Sequence, residues 1–175
     1  DVTGITDAIK LFQRAQTAAT QPLRSNVTDW SKLSLGRAYL CLSQADAGDY
    51  WGQAESQFRA VIADYEGGNE SARDIAADAH SNLGFVLLPG RCDPARDAKY
   101  RAAAQEYQRA VDLSVFHPTR QGFYYDMIGF IQTQLGALDQ ARTAYREALR
   151  VDPPNAAHYQ EALNAVQQPQ AEVCP

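Results

Sequence analysis

Four segments of the chain repeat one pattern of small and aromatic residues at helical spacing. In each segment an aromatic residue follows an alanine by four positions, and a small or branched residue follows three positions later. The four sets are Ala8/Phe12/Ala15, Ala54/Phe58/Val61, Ala103/Tyr107/Ala110 and Ala141/Tyr145/Ala148. These spacings place the three side chains on one face of a helix, where the small residues let a neighbouring helix approach closely. A face that recurs in this way indicates a helical repeat protein.

The composition agrees with helices and with a continuous core. Of the 175 residues, 45% are hydrophobic, which is enough to argue against a disordered chain. Alanine and glutamine recur while β-branched residues are sparse, and this balance favours helix over strand. We therefore predict an all-α protein, either one compact domain or a short solenoid that folds as one unit.

The clearest repeat covers residues 122–155. Gly136 stands at a turn between two helices, where glycine accepts a positive φ, and Pro153 ends the second helix. The repeat resembles the tetratricopeptide repeat (TPR) family, and Gln132 departs from the family pattern, which usually has tyrosine there. The matching positions are Tyr125, Ile128, Gly129, Gly136, Leu138, Asp139, Gln140, Ala141, Tyr145, Ala148, Leu149, Asp152 and Pro153.

Looser units with the same face precede this repeat, and a helix follows it. The resemblance implies an α-α superhelix (TPR solenoid) of about three helix pairs, in which residues 1–175 form a single TPR-like domain. Its expected parts are a half repeat at 7–20, a repeat at 29–66, a repeat with a loop insertion at 71–114, the repeat at 122–155, a capping helix at 156–168 and a tail at 169–175.

The charge distribution argues against nucleic-acid and membrane partners. The net charge is −5, and the basic residues are interspersed with acidic ones, so no basic stripe forms. No apolar run reaches the ~18 residues that a membrane-spanning helix needs. We expect neither nucleic-acid binding nor membrane insertion.

Catalytic motifs are missing from the sequence. The three histidines, His80, His117 and His158, fall in different units, and none has a nucleophile or carboxylate at a motif spacing. The loop with Cys92, Asp93 and Asp97 lacks a metal-site spacing pattern. We expect no enzyme activity, no cofactor and no bound metal.

Protein binding is the leading functional hypothesis. In TPR domains the first helix of each pair lines a concave groove, and the resemblance places an unusually aromatic and apolar set of residues there. Only Arg37 and Asn82 supply donors, which argues against capture of a chaperone's terminal carboxylate. Either a partner's amphipathic helix or extended segment covers the groove, or the chain buries these side chains itself. The predicted groove residues are Trp30, Leu33, Arg37, Leu40, Asn82, Phe85, Phe123, Asp126, Met127 and Phe130.

A second hypothesis is a self-assembling structural subunit of an extracellular filament or tube. The half repeat leaves an apolar helix face unpaired, so another copy's terminal segment would complete it head to tail. A disulfide between Cys92 and Cys174 and glycosylation of Asn26 or Asn69 would agree with a secreted or cell-surface location. Reduced thiols and unused sequons are the open alternatives, and Cys41 is expected in the core. The start at Asp1 agrees with a processed mature chain or with an excised fragment.

Overall fold

A computed structural model describes residues 2–18, 25–45, 47–90 and 92–167, except for the side chains of Ser25 and Asn26. Within these ranges all regular structure is helical and no strand is present, as the sequence predicts. Short 3-10 turns at Glu70–Ala72 and Pro153–Asn155 precede two of the α-helices. The α-helices are α1 (Val2–Ala18), α2 (Ser25–Gln44), α3 (Trp51–Glu66), α4 (Arg73–Val86), α5 (Arg96–Leu113), α6 (Pro118–Gln134), α7 (Leu138–Val151) and α8 (Ala156–Asn164).

The chain divides into two compact units, residues 1–86 and residues 87–175. In the first unit α1 packs against α2, α2 against α3 and α3 against α4, and α4 also contacts α2. In the second unit α5 packs against α6, α6 against α7 and α7 against α8. Neighbouring helices thus pack in sequence order within each unit. The division falls inside the predicted repeat at 71–114.

In the first unit the N-terminal helix covers one side of α2. Ile9 of α1 is buried with Leu35, Ala38 and Leu42 of α2, and the aromatic ring of Phe12 lies at the edge of this cluster. On another side of α2, Gly36 faces the ring of Phe58 from α3. The helix of the predicted half repeat therefore packs against the next helix along the chain.

In the second unit α6 lies between α5 and α7. Tyr107 of α5 is buried with Tyr124 and Ile131 of α6. Gly129, on the other flank of α6, faces the buried ring of Tyr145 from α7. The aromatic positions of the repeated pattern thus point inward in this unit, as their spacing predicts.

The predicted ends of the helices in the repeat at 122–155 agree with the structure. Gly136 has a φ of +72° in the turn after α6, the left-handed region that favours glycine. Pro153 follows the end of α7 and opens a 3-10 turn, because proline cannot continue the helix. Local sequence signals therefore set both ends.

Cys41 does not lie in the core, and the expectation from its apolar neighbours is wrong. Its side chain is exposed. Cys41 follows Trp30 by 11 positions and Arg37 by four, so the three share one face of α2. That face is open to solvent, since Trp30 and Arg37 are exposed as well.

Candidate functional site

Of the ten residues predicted to line one groove, six belong to the first unit and four to the second. In the first unit Trp30 and Arg37 are exposed on α2. Leu33 and Leu40, by contrast, are buried, with 0% and 6% of their surfaces accessible. The prediction that these two leucines line an open groove is wrong.

The burial of Leu33 and Leu40 follows from the number of helices around α2. Three helices contact it: α1, α3 and α4. An α-helix surrounded on three sides keeps only a narrow exposed strip, and residues next to that strip become core. For these two leucines the chain itself covers the apolar surface, which is one of the alternatives that the sequence leaves open.

Two exposed aromatic residues of the first unit meet at the start of α3 and the end of α4. The ring centroids of Trp51 and Phe85 are 6.3 Å apart, and both side chains are partly exposed. Phe85 is one of the predicted groove residues, whereas Trp51 is not. The signal that the sequence reasoning missed is Asp49, two positions before α3 begins, whose carboxylate accepts a hydrogen bond from the main-chain N–H of Trp51.

The two hydrogen-bond donors predicted in this part of the groove are already engaged. The Arg37 guanidinium donates to the Asp78 carboxylate over 3.2 Å and so links α2 to α4. The Asn82 amide donates to the main-chain oxygen of Asp78 on its own helix at 2.6 Å. Arg37 and Asn82 therefore each donate at least one hydrogen bond to Asp78 within the first unit.

In the second unit the predicted residues Phe123, Asp126, Met127 and Phe130 form a continuous stripe on α6. Phe123 and Phe130 are 48% and 40% exposed, and Asp126 and Met127 are half-buried between them. Their offsets of three, four and seven positions place all four on one face of the helix. We call these four residues the α6 stripe.

Side chains from other helices fix the edges of the α6 stripe. The Tyr100 ring of α5 meets the Phe130 ring edge-on with centroids 6.5 Å apart. The His158 ring of α8 lies with Nε2 3.1 Å from the Asp126 carboxylate. Tyr100 and His158 were not predicted here, because no local sequence pattern relates them to α6.

Two carboxyl groups in the first unit meet beside a cleft of about 470 Å³. Burial raises the pKa of Asp29 to about 6, and the adjacent Asp64 carboxyl adds to this rise. Burial favours a higher pKa for Asp64. Hydrogen bonds from Lys32 and Asp29 outweigh this effect and hold the pKa of Asp64 below its ordinary value. With Lys32 and Asn69 also bound to the pair, the cluster cross-links α2, α3 and the turn after α3.

The predicted sugar-acceptor and disulfide residues are only partly visible. The Asn69 amide nitrogen, the atom to which a glycan attaches, donates to Asp29 at 2.9 Å, and the Ser71 hydroxyl donates to the Asn69 oxygen at 2.6 Å. A glycan at Asn69 would therefore displace a structural contact. Cys92 is disulfide-bonded. Cys174 and the side chain of Asn26 lie outside the described residues, so a Cys92–Cys174 pairing and a glycan at Asn26 stay predictions.

In the described ranges of the chain, no cluster of three or more His, Cys, Asp or Glu side chains has a geometry suited to a metal ion. None of the helices that they contain combines the length and the apolar character needed to cross a membrane. Comparison of the chain with protein-family models, with curated proteins and with solved structures gave no match.

Proposed function

We propose that the protein is a non-catalytic, TPR-like scaffold that binds a segment of a partner protein through the α6 stripe. The observation that carries this proposal is the exposure of Phe123 and Phe130 on a helix whose two flanks are already packed. Seven positions of helix separate them by about 10 Å, the spacing of two turns. Large apolar rings at this spacing are a common anchor pattern for helical or extended peptides.

The energetics favour a covered stripe. Each phenylalanine ring that a partner removes from water contributes free energy at roughly 25 cal/mol per Å² of apolar area. The half-buried Met127 extends the apolar surface beside the rings, while Asp126 and His158 supply one polar point at its edge. The expected partner therefore presents two apolar side chains about two helical turns apart and a hydrogen-bonding group between them.

The assignment to the TPR family rests on the helix hairpins. In α2–α3 and again in α6–α7, a glycine of the first helix faces an aromatic ring of the second, Gly36 on Phe58 and Gly129 on Tyr145. Gly129 is one of the positions that match the family in sequence, and Gly36 makes the same contact in the first unit. This repeated contact supports a TPR-like hairpin in each unit.

Self-assembly, the second hypothesis, gains no specific support. It was motivated by an apolar face of the N-terminal helix without a partner, but Ile5, Ile9 and Phe12 of α1 pack against α2. The opposite face of α1 is polar apart from Val2 and Leu11. Filament formation stays a prediction, and light scattering as a function of protein concentration tests it.

The experiment for the α6 stripe is a selection of peptides followed by binding measurements on variants. Peptides of 16 residues displayed on phage are selected on the full chain, and the enriched ones are synthesised and titrated calorimetrically. We expect Phe123→Ser/Phe130→Ser to weaken binding at least tenfold. The control is Phe116→Ser, because Phe116 is 82% exposed between α5 and α6 and lies outside the stripe. Equal affinities of the stripe variant and the parent chain would refute the proposal.

A further inference from the structure

A second surface lies on the opposite side of α6 from the α6 stripe. Two adjoining cavities of about 500 and 340 Å³ run between α5 and α7, with α6 as their floor. They share Gln108, Ile128 and Gln140 as lining residues. We call this the glutamine groove after the carboxamides of Gln105, Gln108, Gln132 and Gln140 that line it.

Helical periodicity separates the two surfaces of α6. Ile128, Gln132 and Leu135 face the glutamine groove, and they lie roughly 120–180° around the helix axis from Phe123 and Phe130. The flanks between these faces hold Tyr124 and Ile131 towards α5 and Gly129 towards α7. A ligand in the groove therefore does not touch the α6 stripe.

The carboxamides of the groove have unused hydrogen-bonding capacity. No side-chain hydrogen bond of Gln105, Gln132 or Gln140 occurs within the described part of the chain, and only the Gln108 amide has a partner, Asp112 at 3.0 Å. Gln132 is also the position at which the sequence departs from the repeat pattern. Each free carboxamide offers one acceptor and two donors towards the groove.

We propose that the glutamine groove binds an extended segment of a partner polypeptide through that segment's main chain. Main-chain N–H and C=O groups match a carboxamide, donor to acceptor and acceptor to donor. A helix already satisfies these groups internally, whereas an extended segment leaves them free. The apolar lining residues Ala104, Ile128 and Leu135 accommodate alternate side chains of the segment.

The dimensions and charges of the groove define the segment further. From Arg101 to Gln108 helix α5 rises about 10 Å, which corresponds to roughly three or four extended residues. Arg101 lines one end of the groove, and Glu147 lines the other. Arg101 forms an ion pair with Asp97, and Glu147 forms one with Arg150. Both ion pairs lie in solvent, so a charged residue of the segment replaces the present partner at little cost. The segment therefore carries an acidic residue at the Arg101 end and a basic residue at the Glu147 end.

The test uses octapeptides displayed on phage against the full chain. In each, a fixed acidic residue, four randomised positions and a fixed basic residue, in both orders, are flanked by one glycine at either end. Selected peptides are then synthesised and titrated against Gln105→Ala/Gln132→Ala/Gln140→Ala. Alanine keeps the helices intact, and circular dichroism verifies this. The matched control is Gln160→Ala, an exposed glutamine on α8. We expect the triple variant to weaken binding at least tenfold and the control to leave it unchanged.

A second measurement isolates the main-chain contacts. Methylating the main-chain nitrogens of the selected peptide, one at a time, removes a single donor without changing any side chain. We expect at least one methylated peptide to bind tenfold more weakly to the parent chain. The proposal is overturned if no octapeptide is selected, if every methylated peptide binds as well as its parent, or if Phe123→Ser/Phe130→Ser weakens binding instead of the glutamine variant.

Discussion

Gly129 of α6 lies so close to Tyr145 of α7 that a β-carbon on the glycine would be 2.8 Å from the tyrosine ring. The same relationship joins Gly36 to Phe58 in the first unit, where a β-carbon would be 2.5 Å from the ring. In both hairpins the missing side chain sets the separation of two helices. The aromatic ring of the second helix then fills the space beside the glycine of the first.

Gly129→Ala is expected to destabilise the second unit. The new methyl group displaces the Tyr145 ring, and overpacking of a close-packed core costs about 1–3 kcal/mol. The helix propensity of alanine returns at most about 1 kcal/mol of this. Urea unfolding followed by circular dichroism measures the net loss.

The control for this substitution is Gly52→Ala in α3. A β-carbon on Gly52 would meet no atom within 4 Å, so only the propensity gain remains. We expect this variant to unfold at the same or a slightly higher urea concentration. If Gly129→Ala behaves like Gly52→Ala, the contact with Tyr145 does not set the helix separation.

The sequence predicts these hairpins well because the evidence for them is local. Gly129, Gly136 and Pro153 stand at spacings that predict one helix hairpin, the turn within it and the end of its second helix. Periodicity identifies the apolar face of a helix but not which neighbour covers it, so Leu33 and Leu40 were wrongly assigned to a surface. Tyr100 and His158 are remote in sequence from the α6 stripe and reach it only in the folded chain. Asp29 and Asp64 also meet only in the folded chain. No local pattern carries that information.

Tyr159→Phe is expected to destabilise the second unit through a buried carboxyl group. The Tyr159 hydroxyl donates to Asp152 at 2.7 Å, and Asp152 is 1% exposed. Removing the donor of a buried acceptor costs about 1–3 kcal/mol. The Asn155 amide also donates to Asp152, so we expect a loss near the lower end of this range. Tyr39→Phe serves as the comparison, because the Tyr39 hydroxyl accepts a hydrogen bond from the exposed Gln13 side chain and not from a buried group. Thermal unfolding of both variants measures the difference, and equal losses would contradict the role of Asp152.

Lowering the pH from about 6 towards 3.8 is expected to raise the free energy of unfolding of the first unit. The folded-state pKa of Asp29 is raised from 3.8 to about 6, so between these values the folded chain binds more protons than the unfolded chain. The free energy of unfolding therefore falls as the pH rises from 3.8 through 6. Asp64 has a lowered pKa, so its ionised form contributes stability to the folded chain. That stability is lost only as the pH falls below 3.8.

Asp29→Asn tests this origin of the pH dependence. Asparagine resembles the protonated carboxyl group, since its oxygen still accepts from Asn69 and its amide donates to Asp64. We expect the variant to lose the fall in stability between pH 4 and 6, as measured by urea unfolding at about half-unit steps of pH. Asp139→Asn, at an exposed carboxyl on α7, should keep it. An unchanged slope in Asp29→Asn would show that another group titrates in this window.

Truncation at two neighbouring apolar positions on α2 is expected to lower the unfolding free energy by very different amounts. Leu33 is fully buried, and Leu33→Ala leaves a cavity at a cost of about 2–5 kcal/mol. Trp30 is 47% exposed one turn earlier, so Trp30→Ala should change the unfolding free energy by less than about 1 kcal/mol. Chemical denaturation of the two variants under the same conditions gives both values. A large loss for Trp30→Ala would place its ring in the core and remove it from any binding surface. A small loss for Leu33→Ala would instead return that leucine to the open face of α2, where the sequence alone first placed it.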